Sequence, residues 1–234
     1  MIAKKQRSTR VFVEDMIISQ MASKAGGFSL VCGRIGEPLA IISNRMSDDI
    51  DSATWIASTR GETVGLSNTF LKDRTWPKII NGEILMKSAI DAHVAAYHEH
   101  ENNQNKEEID SKEKENDLIQ RLFSVLSTDT MPRLSNTEPI KEQYMSQLKE
   151  SIFIPLLGDR AKFEAEADQL AKMGLEGYTS GLYGTQKQTV LLVDHDGRVK
   201  YVERSLYDGH IHPIPLGKGD RCFEFVIEGW EHLN

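Results

Sequence analysis

Cysteine is nearly absent: the 234 residues hold only Cys32 and Cys222, far apart in the chain. Two distant thiols build neither a disulfide framework nor a cysteine-only zinc site, and both read as reduced core thiols. Long apolar runs are also missing. Nothing approaches the roughly 20 residues needed to cross a bilayer as a helix. The opening Met1-Ile-Ala-Lys-Lys-Gln-Arg7 carries charge with no apolar stretch behind it, so it does not read as a secretory signal. Ile2 stands where myristoylation needs glycine. Excess positive charge is lacking too: 28 basic against 35 acidic residues give a net −7. That balance argues against general nucleic-acid binding, which requires a basic face. No phosphate loop or dinucleotide fingerprint occurs, since Gly33-Arg-Ile-Gly36 lacks the strand-to-helix context. What remains is an ordinary soluble composition, no internal repeat and an expected cytoplasmic location.

Val13, Ile17 and Met21 recur every four residues and predict a short helix stopped by Ala25-Gly26-Gly27. Phe28–Cys32 and Leu39–Asn44 read as strands around Gly36-Glu-Pro38. Thr54–Ser58 and Glu62–Asn68 suggest a hairpin about Thr59-Arg-Gly61. Pro77 to about His98 reads as a helix with proline in its first turn, where a missing N–H costs little. Residues 99–116 turn abruptly polar and predict a solvated, disordered acidic insert, with a helix resuming at Asp117. Leu118, Leu122, Val125 and Leu126 would be its inner face. Residues 160–173 suit a helix by propensity, while 148–157 is ambiguous. Gln188–Val193 and Val199–Arg204 form a strong hairpin signal around Asp194-His-Asp-Gly197, and Arg221–Ile227 reads as a closing strand. Strands toward both ends with helices between them predict an α+β protein of one domain, 1–234, with the insert as a decoration.

Four segments, in order, are similar to the NRDE-domain family of Transport and Golgi organization proteins. They are Gly27-Phe-Ser-Leu-Val31 with Ile42-Ser-Asn-Arg45; Val64-Gly-Leu-Ser-Asn-Thr-Phe-Leu71 with Thr75-Trp-Pro-Lys78; the Leu118–Leu126 helix; and a last block. That block runs from Ile152-Phe-Ile154 through Tyr183-Gly-Thr185, Thr189–Asp194 and Gly197 to Val202-Glu-Arg204. The family's opening Met-Cys, NRDE and GTWLG segments have no counterpart, so the chain reads as the C-terminal portion of such a domain. The resemblance implies an αββα sandwich like that of N-terminal nucleophile hydrolases, here incomplete at its N-terminus. In that fold a terminal Cys, Ser or Thr attacks an amide with its own amino group as base.

The resemblance also carries the site candidates. Asn68 matches the place where related amidases put an oxyanion-binding asparagine, and Arg204 an arginine near the nucleophile. Tyr183 would offer a phenol to a pocket. Plain readings stand beside each: a turn asparagine, a structural salt bridge, a glycine-enabled turn at Tyr183-Gly-Thr185. Without a terminal nucleophile, no catalytic residue is assigned and a non-catalytic protein is favoured over an enzyme. His98/His100 and His210/His212 are pairs without a third ligand, so no metal is expected. The implied role is in Golgi organisation and protein secretion, with heme or acyl-CoA as a carried amphipathic ligand and no nucleic-acid partner. Golgi or mitochondrial association would accompany the cytoplasmic location. The alternative is an amidohydrolase whose nucleophile lies outside this chain.

Overall fold

A computed structural model describes residues 8–18, 26–44, 53–101, 111–132, 147–158 and 182–230. The chain divides into two compact units, Met1–Lys87 and Ser88–Asn234. Each contains a small antiparallel sheet, so the protein is mixed α and β, as the order of sequence signals predicts.

In the first unit, helix α1 (Thr9–Ile18) begins at Ser8, whose Oγ accepts the Val11 N–H and whose carbonyl accepts that of Phe12. This satisfies donors that every helix start leaves open. The Thr9 N–H reaches the Glu37 carboxylate at 2.7 Å, and Thr9 Oγ1 accepts the Arg34 N–H. Hydrogen bonds from Thr9, ahead of the nearby Arg34 charge, hold the Glu37 pKa below the carboxylate norm. An anion at this helix end also complements the macrodipole.

Strands β1 (Ser29–Cys32), β2 (Leu39–Ser43) and β3 (Thr54–Ile56) pair antiparallel in that order. Val13 packs with Ala40 and Ile42, all essentially buried, while Met16, Ile17, Cys32, Ala53 and Trp55 close the edges. The spacing of Val13 and Ile17 anticipates this face, but Met21 lies outside the described residues. The expected hairpin partner of Thr54–Ser58 is corrected. The Thr59–Gly61 turn exists, closed by Glu62 N–H to Thr59 C=O, yet residues 62–68 form no strand and β3 pairs with β2 instead.

Helix α2 (Pro77–Glu101) starts at proline as expected, and Ile79 is buried. In the second unit, His93 Nδ1 and Arg121 Nε both meet Asp117 Oδ2, at 2.9 and 2.7 Å. Hydrogen bonds from Arg121 and then His93 hold the Asp117 carboxyl below its ordinary pKa. Lys114 lies over the Tyr97 ring at 5.4 Å.

Helix α3 (Ser111–Leu126) therefore begins well before Asp117. The polar stretch is helical at both its ends, 99–101 in α2 and 111–116 in α3, while 102–110 fall outside the described residues. Lys and Glu are good helix formers, and Glu115 is tied to Lys200. Leu118, Ile119, Leu122, Phe123 and Leu126 make one apolar stripe.

That stripe packs on β4 (Lys187–Val193) and β5 (Arg198–Ser205) through Val190, Leu192 and Val202. Burying Phe123 contributes roughly 1.5–3 kcal/mol of transfer free energy. β6 (Asp220–Val226) completes the meander β4-β5-β6. All three strands agree with the sequence reading. The turn carries Gly197 at φ 73°, a conformation only glycine takes without strain, and Asp194 accepts the Asp196 and Arg198 N–H groups. Trp230 lies against Gly197 and donates its indole N–H to the His195 carbonyl at 2.8 Å.

Residues 148–157 resolve into a turn and an irregular stretch that pairs with Tyr183 only through Leu157. The expected helix at 160–173 lies outside the described residues. Both thiols are free, but only Cys32 packs against a core; Cys222 sits exposed on β6. No helix among the described residues is long and apolar enough to cross a membrane.

Candidate functional site

The sequence candidates fall in different units: Asn68 in the first, Tyr183 and Arg204 in the second.

Asn68 is the middle residue of a tight turn in which the Thr69 N–H meets the Ser67 carbonyl at 2.7 Å. Its side chain is exposed. The loop around it is held by its neighbours. Gly65 N–H and the Arg74 guanidinium both bind the Glu83 carboxylate, and Arg74 does so with both terminal nitrogens. These partners, Arg74 foremost, lower the Glu83 pKa. Thr69 Oγ1 and the Thr75 N–H and hydroxyl converge on Asp73. Ser29 Oγ donates to the Thr69 carbonyl from strand β1. Burial depresses the Lys78 ammonium pKa, and that group lies 5.2 Å from the Trp76 ring.

Tyr183 joins Leu157 by two reciprocal backbone hydrogen bonds of 2.8 and 3.0 Å, while its side chain is mostly exposed. Gly184 is not a turn residue. It is glycine because a Cβ there would stand 3.1 Å from the Pro155 carbonyl oxygen and 3.2 Å from Leu156 Cα. Thr185 completes the seam, accepting the Ile154 N–H on Oγ1 and donating its own N–H to the Ile154 carbonyl. The Tyr-Gly-Thr motif thus stitches two segments together.

Arg204 is the one candidate that is buried, with 8 % of its surface exposed. Its Nε and Nη2 grip Asp220 of β6 at 2.9–3.2 Å, and its guanidinium carbon lies 3.9 Å from the Phe123 ring centroid. This planar stacking on an aromatic face, with a forked ion pair at its edge, is what guanidinium chemistry favours. The register sets Gln188 beside Arg204 on β4 and Asp220 on its other side. Gln188 is also buried; its amide N–H reaches Ser127 Oγ at 2.9 Å.

On the opposite face of the same sheet, side chains from alternate positions form rows. Leu191, Tyr201 and Phe223 lie in register, as do Val193, Val199 and Phe225. Leu191, Phe223 and Phe225 are each more than half exposed. Thr189, Glu203 and Arg221 form the next row, where Lys187 Nζ meets Glu203 at 2.7 Å. The result is an apolar, partly aromatic face rimmed by Lys187, Arg221 and one carboxylate. Sequence reading missed this face, although the period-two pattern of Leu191, Phe223 and Phe225 carried its signal.

The His210/His212 pair gathers on one carboxylate, while the side chains of His98 and His100 lie outside those described. Asp208 accepts the N–H groups of His210 and His212 on Oδ1 and approaches His212 Nδ1 at 3.1 Å through Oδ2. These bonds, led by the His212 N–H, lower the Asp208 pKa. Among the described residues no three His, Cys, Asp or Glu side chains group as metal ligands.

The family model for Transport and Golgi organisation 2 matches residues 2–208. No curated protein and no solved structure matches the chain.

Proposed function

Because the chain belongs to the Transport and Golgi organisation 2 family, we propose that it acts in Golgi organisation and secretion as a non-catalytic carrier of an amphipathic ligand. The observation that carries this reading is the exposed apolar face of the second sheet. Leu191, Tyr201, Phe223 and Phe225 offer an apolar platform, and Arg221 stands beside it in the same row as the Lys187–Glu203 ion pair. A ligand with a broad apolar body and anionic ends, such as heme or a long-chain acyl-CoA, matches that distribution. The location that goes with the role is cytoplasmic, with Golgi or mitochondrial association.

The absence of a catalytic role is supported by the candidates themselves. Arg204 is committed to Asp220 and Phe123, and the Asn68 and Tyr183 side chains are exposed. None sits in an arrangement that aims donors at a developing oxyanion. The N-terminal nucleophile-like sandwich also belongs to this proposal. Each unit carries one antiparallel sheet with a helix on one face and apolar side chains on the other, the pattern such a layer requires.

Titration of the purified chain with hemin and with palmitoyl-CoA, followed by intrinsic fluorescence, tests the carrier role. Saturable binding of one ligand is expected, weakened about tenfold or more by Phe223→Asp. No saturable binding of either would refute it.

A further inference from the structure

Strand β6 ends the second sheet with an open edge. Its residues after Asp220 are all exposed, and α3 packs over β4 and β5 rather than over it. The bonds just beyond each end of the β5–β6 ladder settle which backbone groups face which way. Ile227 N–H meets the Gly197 carbonyl, and Ser205 N–H meets that of Gly219. Antiparallel pairs alternate, so Arg221, Phe223 and Phe225 turn their backbone groups to β5. The N–H and C=O of Asp220, Cys222, Glu224 and Val226 point outward, and meet no backbone partner there among the described residues. Natural edge strands discourage further pairing with lysine, proline or a bulge. β6 has none of these, and its register with β5 runs unbroken from Asp220 to Val226. The other edge differs, since β4 has Gln188 and Val190 buried.

We propose that β6 pairs antiparallel with β6 of a second copy of this chain, about a two-fold axis at Phe223. The sequence of the strand selects that register. Outward backbone groups must meet outward groups, so even-numbered residues face even-numbered ones. An axis at Cys222 would set Asp220 against Glu224 of the second copy, and one at Glu224 would set two carboxylates together. An axis at Arg221 would oppose two guanidiniums, and one at Phe225 would leave much of the strand unpaired. The axis at Phe223 avoids all of these and pairs the whole strand, Asp220 with Val226 and Cys222 with Glu224. It brings the two Phe223 rings together at a non-hydrogen-bonded position, the closer of the two pair types. It also sets Arg221 opposite Phe225, a guanidinium beside an aromatic ring. A two-fold perpendicular to the sheet keeps both apolar faces on one side, so the pairing widens the platform and does not rest on the carrier role.

Sedimentation velocity of the full chain, with no ligand added, tests the pairing. Addition of one short strand is a small interface, so monomer should give way to dimer between about 1 and about 100 μM. Phe223→Lys opposes two ammonium groups across the axis and should weaken the dimer about fivefold or more. Thiol cross-linking with copper phenanthroline then reads the register. In a Cys32→Ala/Cys222→Ser background, Phe223→Cys places two thiols directly opposite, about 4.5 Å apart at Cα and within disulfide reach. In Cys32→Ala alone, the two Cys222 thiols stand on a diagonal of about 7–8 Å, beyond that reach. The first variant should therefore link and the second should not. A chain that stays monomeric to about 100 μM, or one that grows past the dimer as a head-to-tail contact would, overturns the proposal. So does linkage through Cys222 as fast as through Phe223→Cys, or a folded Phe223→Lys variant that dimerises as well as the unmodified chain.

Discussion

Removing the Asp220 carboxylate tests how the second unit is held together. Asp220→Ala leaves the Arg204 guanidinium, 10 % exposed along its side chain, without its counter-ion. Deleting one partner of a buried pair costs about 3–5 kcal/mol, because the surviving charge stays desolvated. The Asp220 side chain is 24 % exposed, so water can replace part of what is lost. The expected destabilisation is therefore about 2–4 kcal/mol. Arg204→Met removes the charge itself and leaves an apolar side chain on Phe123. The lost cation–π contact of about 0.5–2 kcal/mol is offset by relief from desolvation. Adding Asp220→Ala to Arg204→Met should then cost less than about 1 kcal/mol, giving a coupling of about 1–4 kcal/mol. The assay is urea unfolding in a Trp55→Phe/Trp76→Phe background, where Trp230 alone reports on the second unit. The reasoning fails if Asp220→Ala costs under about 1 kcal/mol, or if the two single effects simply add.

Three further expectations follow from the geometry. Gly197→Ala forces a Cβ into the left-handed region and within 2.5 Å of the Trp230 ring, so it should cost more than about 1 kcal/mol and visibly shift Trp230 emission; an unchanged spectrum and stability would contradict this. Arg74 holds the Glu83 pKa below its ordinary value, so the folded state releases that proton more readily than the unfolded chain. The associated stability is complete above the unfolded carboxyl value near about pH 4.3 and is lost as pH falls through the lower folded value. Arg74→Ala should flatten that acid loss, and NMR titration of the Glu83 carboxyl should show its pKa rising toward normal. Cys222 is exposed whereas burial raises the Cys32 pKa, so maleimide should label Cys222 first; labelling at equal rates, read by peptide mass spectrometry, would contradict the assigned burial.

How much was legible depended on whether the deciding chemistry was local. The β4–β5 hairpin could be read because Asp194 and Gly197 determine their own turn within five residues. The strand expected at 62–68 could not, because that segment answers to Glu83 and Ile79 beyond it: Gly65 donates to Glu83, and a Cβ at Gly65 would stand 3.0 Å from the Ile79 carbonyl. The start of α3 was hidden for a related reason. Its polar first turns look unable to bury anything, but Glu115 is paired with Lys200, far along the chain. At the candidate site, the identity of Arg204 was readable and its partners were not. Asp220 and Phe123 reach it only through strand register and helix packing, and Gln188 looked like an ordinary strand residue. Cys222 was misjudged because a thiol on an edge strand need not be inside.

The meander of β4, β5 and β6 also bears on the order in which the chain acquires structure. Each strand pairs with its immediate successor, so the sheet closes only short stretches of chain. Loop-closure entropy grows with the length enclosed, and contacts near in sequence form soonest. The Asp194–Gly197 turn needs no distant partner and can close in microseconds, the hairpin timescale. α3 leaves the ribosome before these strands and has no apolar surface of theirs to cover until they pair. Completion of the hairpin is therefore the event that gives the Phe123 stripe a place to dock, and slowing that one turn should delay the burial of the whole second core.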